Sequence, residues 1–79
     1  MRVIDVLVRL FCTKYGCEPE DVVMAASLDE LNIAPHERED MAMLLEEMYG
    51  IPIGEDVLDS FETVEDVVAH IEDNLTEDG

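Results

Sequence analysis

Two histidines and a few hydroxyl groups are the residues of this 79-residue chain whose types could support acid–base or nucleophilic chemistry. Histidine exchanges a proton most readily near neutral pH, so His36 and His70 are the candidate general bases. A catalytic triad needs a nucleophile, a base and an orienting group, and no local motif of that kind surrounds either histidine. We therefore expect surface or half-buried histidines without chemistry, and we predict that the protein is not an enzyme.

Cys12 and Cys17 are the two thiols of the chain, which is too few for a disulfide framework. Their separation differs from the C-x-x-C spacing of redox and zinc motifs, and no histidine lies nearby in sequence to complete a metal site. We expect both thiols to be free. Cys12 lies in an apolar stretch and is predicted to be buried, whereas Cys17 follows Gly16 and is predicted to be exposed.

Carboxylates are so abundant that only their spacing could argue for a metal site, because the chain holds 21 Asp and Glu against 4 Lys and Arg. An EF-hand loop needs alternating ligands, a central glycine and a closing glutamate, and residues 54–59 do not provide them. The sequence also lacks a glycine-rich phosphate-binding loop. We predict no dedicated metal site.

The formal charge of −17 restricts the partners of the protein. Nucleic-acid phosphates require a basic surface and anionic lipid repels an acidic one, so we expect neither nucleic-acid nor membrane binding. Complementary fields favour basic patches on other proteins, although an acidic surface also serves solubility alone. No apolar run approaches about 18 residues, and the start MRVIDVLV does not resemble a signal peptide. We expect a soluble, cytoplasmic monomer.

The segment Leu31–Gly50 carries the clearest secondary-structure pattern of the chain. Pro35 suits the first position of a helix because its nitrogen needs no hydrogen-bond acceptor, and Gly50 provides a left-handed stop. Between them, apolar residues at steps of three and four define one face: Met41, Leu44, Leu45, Met48 and Tyr49. The pattern predicts a helix over Pro35–Tyr49, roughly 22 Å long at about 1.5 Å per residue.

Three further helices are predicted around this one. Apolar residues at helical spacing predict a helix over residues 2–15, ended by Gly16, and a short helix over residues 54–59. Thr63 and Asp66 resemble a capping box that opens a last helix over residues 64–73. The predicted apolar face of that helix is Val64, Val67, Val68 and Ile71. The chain is thus predicted to be all-α: a small four-helix bundle of three main helices and one short helix over residues 1–74, with a polar tail over residues 75–79.

A long first loop, over residues 17–33, connects the first two main helices. A structureless connection of this length is uncommon in a compact domain, so apolar side chains must pin it to the core. The candidates are Val22, Met24, Leu28, Leu31 and Ile33. Ser27 is placed to cap a short helical turn over residues 28–31.

The order of these elements resembles the acyl carrier protein family, the four-helix carriers of fatty-acid and polyketide biosynthesis, over nearly the whole chain. The strongest match is Leu45–Ile53, which reads Leu-Glu-Glu-Met-Tyr-Gly-Ile-Pro-Ile and is similar to the family's Leu-Glu-Glu-x-Phe-Gly-Ile-x-Ile. Gly16, Glu20–Val22, Ala26–Leu31 and Phe61–Val64 match weaker parts of the pattern. The resemblance implies an acyl carrier protein-like fold.

Members of the family carry 4′-phosphopantetheine on the serine of an Asp-Ser-Leu motif at the start of the second major helix. Counting back from Gly50 places that motif on Ala34-Pro35-His36, where Pro35 has no hydroxyl to phosphorylate. We therefore expect no cofactor at the usual position. Ser27 imitates the letters of the motif in Ser27-Leu28-Asp29, but it precedes the helix, and it is the non-standard alternative for 4′-phosphopantetheine.

In the family, carboxylates along this helix meet arginines and lysines of partner enzymes. By position, the corresponding acids here, including one extra, are Glu37, Glu39, Asp40, Glu46 and Glu47. A solvated helix face is the alternative interpretation of the same residues. We expect an acyl carrier protein-like domain that binds the basic surface of a carrier-recognising protein or enzyme. The alternatives are a working acyl or peptidyl carrier modified at Ser27, and an unrelated acidic interaction protein that mimics the charge of nucleic acid.

Overall fold

Four α-helices form the chain, and their bounds follow the capping residues of the sequence. The computed structural model describes residues 2–75. The helices are α1 over Val3–Tyr15, α2 over Pro35–Tyr49, α3 over Glu55–Ser60 and α4 over Val64–Leu75, with a 3-10 turn at Pro19–Asp21. No β-strand occurs among the residues described, so the prediction of a small all-α bundle is confirmed.

Glycine ends both α1 and α2, as the sequence predicts. Gly16 follows α1 with a φ of 71° and Gly50 follows α2 with a φ of 66°, the left-handed region that side chains disfavour. The Gly50 N–H donates to the carbonyl of Glu46 at 2.8 Å. A Cβ added at either glycine would meet nothing within 4 Å, so backbone conformation rather than space selects glycine at these positions.

One apolar core lies between the helices, and it confirms the predicted face of the last helix in full and that of α2 in part. All four residues predicted for the last helix are buried: Val64, Val67, Val68 and Ile71. Leu7 and Phe11 of α1 and Met41 and Leu45 of α2 belong to the same cluster. α1 packs against α4 and α2 packs against α3. The core therefore ties the two ends of the chain together.

Two methionines predicted to be buried are exposed instead. Met48 of α2 is 52% exposed and Met24 of the first loop is 41% exposed. α2 carries more apolar residues than the core can cover, and Ala42, which the spacing did not select, is buried beside Met41. Met24 holds the loop through its backbone, because its carbonyl accepts the N–H of Glu65 at 3.1 Å.

The first loop is pinned by side chains and by backbone hydrogen bonds to the start of α4. The other four predicted anchors are buried: Val22, Leu28, Leu31 and Ile33. Ser27 and Thr63 form an antiparallel bridge. On either side of it the Leu28 N–H donates to Glu62 and the Val64 N–H donates to Ala26, both at 2.9 Å. A connection without regular structure is thereby fixed to the core.

The capping box predicted for the last helix is present. The Asp66 carboxylate accepts the Thr63 N–H at 3.1 Å, and the Thr63 hydroxyl accepts the Asp66 N–H at 3.3 Å. The hydrogen bonds that Asp66 accepts from the Glu62 and Thr63 backbones hold the pKa of this carboxyl below its usual range. The helix continues to Leu75, two residues beyond the predicted end. Leu75, assigned to the tail by the sequence, is thus helical, and residues 76–79 of that tail lie outside the described range.

None of the helices within residues 2–75 is both long enough and apolar enough to cross a lipid bilayer.

Candidate protein-binding face

The family resemblance places the cofactor-attachment motif at the start of α2 and predicts that the attachment serine is missing there. Pro35 occupies the first helical position after Ala34, which has an extended backbone. The Glu37 carboxylate accepts the Ala34 N–H at 3.0 Å. Alanine has no side-chain oxygen to accept a backbone N–H in return, so only the Glu37 half of a capping box is present. The residues that begin this helix therefore offer a proline ring and a carboxylate, and no hydroxyl.

Ser27, the alternative attachment residue, is engaged in a local cap. Its hydroxyl accepts the N–H of Glu30 at 3.0 Å, and its own N–H donates to the Glu30 carboxylate at 2.8 Å. This reciprocal pair confirms Ser27 as the cap of the turn that follows it. The residue is half-buried and also forms the bridge to Thr63. Its hydroxyl has a structural role in the loop.

The five acids predicted to bind partners divide into two groups. Glu37 and Glu46 are half-buried, and each uses a carboxylate oxygen inside the protein. Glu46 accepts the N–H of Ile53 at 2.7 Å and so fixes the loop between α2 and α3. The exposed remainder is Glu39, Asp40 and Glu47. The sequence treated all five alike because it does not show which carboxylates find a backbone partner.

Arg38 is the cation of α2, and its guanidinium is bound to the first loop. Its guanidinium donates to the Asp29 carboxylate at 2.6 Å and, through Nε, to the carbonyl of Ile33 at 3.3 Å. The Arg38 side chain is only 19% exposed, whereas that of Asp29 is 90% exposed. The arginine therefore braces the end of the first loop and leaves the outer face of α2 negative.

Met43 lies in the middle of the exposed acids and is 62% exposed, the highest value among the large hydrophobic residues in residues 2–75. Glu39 and Glu47 precede and follow it by four residues and Asp40 precedes it by three, so all three are its neighbours on the helix surface. We call Glu39, Asp40, Met43 and Glu47 the acidic α2 face. Met43 was not among the residues predicted from the sequence, although its position two residues after buried Met41 places it off the apolar stripe.

Two shallow grooves border this face on the side of α3. The first, of about 180 Å³, lies between Met43, Glu46 and Leu58, and the second, of about 300 Å³, lies between His36, Glu39 and Leu58. Glu39 and Leu58 line both grooves, so the two are adjacent. Leu58 is half-buried and packs against the core. The exposed methionine thus stands beside a partly apolar depression with carboxylates around it.

Tyr15 links α1 to the beginning of α2. Its hydroxyl donates to the carbonyl of Glu37 at 3.0 Å. Burial, followed by the negative charges of Glu37 and Asp40, raises the pKa of Tyr15 to about 12. The hydrogen bond ties the end of α1 to the first turn of α2.

The histidines and cysteines occupy structural or surface positions. His36 is exposed, whereas His70 is half-buried and bonds through Nε2 to the carbonyl of Pro52 at 3.0 Å. Both cysteines are free thiols, as predicted. Both are also half-buried, so the expectation of a buried Cys12 and an exposed Cys17 is wrong. Cys17 folds back against the loop, where its Sγ approaches the carbonyl of Leu31 at 3.7 Å and burial raises its pKa.

Among residues 2–75, no three His, Cys, Asp or Glu side chains come together in an arrangement that could hold a metal ion. No protein-family model matches the chain, and a search of curated proteins finds no significant match.

Proposed function

We propose that this chain is an acyl carrier protein-like domain that is not loaded with 4′-phosphopantetheine and acts by binding another protein through its acidic α2 face. The observation that carries the proposal is Met43, which is 62% exposed among the exposed carboxylates of Glu39, Asp40 and Glu47. An exposed apolar side chain within a ring of charge has the arrangement of an interface anchor and its rim.

The energetics favour contact at this face over a purely solubilising role. Burying a methionine side chain contributes about 1.5–3 kcal/mol, which a partner gains by covering Met43. The surrounding carboxylates bring a basic surface to the face quickly and orient it, while contributing less to the final affinity. The complementary partner has an apolar socket bordered by arginine or lysine. A solubilising surface needs the acids and does not need the methionine.

The absence of loading rests on the two candidate attachment positions. Pro35 has no hydroxyl, and the neighbouring residues of the family motif are replaced as well. Ser27 has a hydroxyl, but it accepts the Glu30 N–H and lies in a bridged loop rather than at the start of a helix. Attaching a phosphodiester at Ser27 would remove this cap, which typically stabilises a protein by about 1 kcal/mol.

Incubation with a phosphopantetheinyl transferase and coenzyme A, followed by intact-mass measurement, tests the absence of loading. We expect no gain of mass for the natural chain. A variant with Ala34→Asp, Pro35→Ser and His36→Leu restores the motif and controls for recognition by the transferase. A gain of the prosthetic-group mass by the natural chain that disappears in Ser27→Ala would establish a working carrier instead.

A peptide-binding measurement tests the role of the face. The probe is a short synthetic helix with one row of leucines flanked by arginines, labelled for fluorescence anisotropy and titrated at about 0.15 M salt. We expect Met43→Gln to weaken binding about tenfold, which corresponds to about 1.4 kcal/mol. Met24→Gln is the matched control, because Met24 is also an exposed methionine but lies on the first loop. Equal effects of the two substitutions would contradict the proposal.

A further inference from the structure

The cations of the chain are concentrated on one helix. Three of the 4 Lys and Arg residues lie in α1 or next to it: Arg2 directly before it, Arg9 in its middle and Lys14 in its last turn. Asp5 is the single acid between residues 2 and 15, so this stretch has a net positive charge in a molecule of −17. The fourth cation, Arg38, is paired with Asp29. Residues 2–15 are therefore a locally basic stretch of an acidic molecule.

A groove of about 410 Å³ runs between α1 and the end of α2 on this surface. Its lining is mostly apolar: Val6, Leu10 and Met48, with Thr13 and the exposed Arg9 at its edge. Met48 is 52% exposed, against the expectation that it would be buried. It follows Met43 by five residues, which places it about 140° further around the helix at about 100° per residue. The groove is thus separate from the acidic α2 face.

The Arg9 guanidinium makes no hydrogen bond or ion pair within residues 2–75, although the chain holds 21 carboxylates. An arginine beside an exposed methionine and half-buried aliphatic side chains is a combination that interface centres favour. The groove is open to solvent rather than enclosed, whereas small-ligand sites enclose most of the ligand's surface. An extended or helical protein segment fits such a surface better.

We propose that this groove binds an amphipathic segment of a second protein that presents aliphatic side chains to Val6, Leu10 and Met48 and a carboxylate to Arg9. Charge complementarity selects an acidic segment, because Arg9 is a cation and the groove is otherwise apolar. The repulsion from distant acids is screened over about 8 Å at physiological ionic strength. The local contact with Arg9 therefore decides whether an acidic or a basic segment is favoured. The domain then holds two partners of opposite charge on different sides of α2.

Fluorescence anisotropy with an acidic peptide tests this site on the full chain. The probe is a short synthetic helix with one row of leucines flanked by glutamates. We expect Arg9→Glu to weaken its binding about tenfold or more, since a favourable charge pair becomes a repulsive one. Arg2→Glu makes the same change in net charge at the end of the same helix, outside the groove, and is expected to change the affinity less than about twofold. Equal effects of Arg9→Glu and Arg2→Glu would overturn the proposal.

A pair of methionine substitutions separates this site from the acidic α2 face. We expect Met48→Gln to weaken the acidic peptide and leave the basic peptide unaffected, and Met43→Gln to do the reverse. If Met43→Gln abolished binding of the acidic peptide, or if the natural chain did not bind that peptide, the groove would be refuted as its site. Either result would leave the proposed function standing. Arg9→Gln is a second variant with no introduced charge, and melting curves of all variants establish that they are folded. Concentration-dependent dimerisation abolished by Met48→Gln would assign the groove to a second copy of this chain and overturn the proposal.

Discussion

Replacing Tyr49 by phenylalanine is expected to stabilise the protein. The Tyr49 hydroxyl is buried and has no hydrogen-bond partner among residues 2–75, although the residue as a whole is half-buried at the end of α2. Burial also raises the pKa of this hydroxyl, because the ionised form loses its hydration. The aromatic ring contributes to packing against the core in either residue, so the substitution removes the unpaired polar atom alone.

The expected gain follows from the cost of a buried polar group without a partner. That cost is about 1–3 kcal/mol for a hydroxyl in proteins. Because Tyr49 is half-buried, we take the lower end, about 1 kcal/mol, which corresponds to a rise in Tm of about 4–8 °C for a domain of this size. The measurement is urea unfolding followed by circular dichroism at pH 7 and fixed salt. An unchanged m-value with a raised midpoint would identify a gain in stability.

Tyr15→Phe is the matched control, because it deletes the same atom from a tyrosine that uses it. The Tyr15 hydroxyl donates to the carbonyl of Glu37 at 3.0 Å. Its loss is expected to destabilise the protein by about 1 kcal/mol. The two substitutions should therefore shift the urea midpoint in opposite directions. A Tyr49→Phe variant that is equal to the natural protein or less stable would refute the reasoning.

Four further outcomes are expected. The pKa of Tyr15 is raised from 10.0 to about 12, so its contribution to stability is complete below pH 10 and is lost between pH 10 and about pH 12. The alkaline destabilisation measured by urea titration should therefore be smaller in Tyr15→Phe. Asp66→Ala should cost about 1 kcal/mol at pH 7, and Glu65→Ala is the control because Glu65 takes no part in the cap. The difference between the two variants should shrink below about pH 4, because a carboxyl with a lowered pKa stabilises the folded protein only while it is ionised. Glu46→Ala should cost about 1.5–3 kcal/mol in urea unfolding by removing its bond to a loop amide, whereas exposed Glu47→Ala should be within about 0.5 kcal/mol of the natural protein. Added salt should raise the melting temperature measured by calorimetry, because it screens the repulsion within a chain of −17.

The helices could be predicted from the sequence because their signals are local. Pro35 at a first position and glycines at two ends each act within one turn, and all three were located correctly. Thr63 and Asp66 are three residues apart, so their capping box can also be read directly. Apolar spacing then assigned the fold class, since four such segments can bury their faces only against one another.

The parts that could not be predicted depend on contacts between distant residues or on the capacity of the core. Arg38 reaches back nine residues to Asp29, which no helical period indicates. Glu46 bonds to the backbone of Ile53, so a carboxylate assigned to partners has a partner inside the protein. The spacing also counted Met48 as buried, because a periodic pattern counts apolar residues without measuring how many a core of this size can enclose.

The central claim is that the acidic α2 face, rather than the negative charge of the whole molecule, binds a basic partner. The most direct measurement is a titration of the ¹⁵N-labelled chain with the leucine–arginine peptide, with amide chemical shifts followed by NMR at about 0.15 M salt. We predict that the shifts concentrate between Glu39 and Glu47 and at neighbouring Leu58, and that Met43→Gln requires about tenfold more peptide to produce them. Shifts spread over all acidic segments, or concentrated on the first loop between Glu20 and Glu30, would contradict the claim.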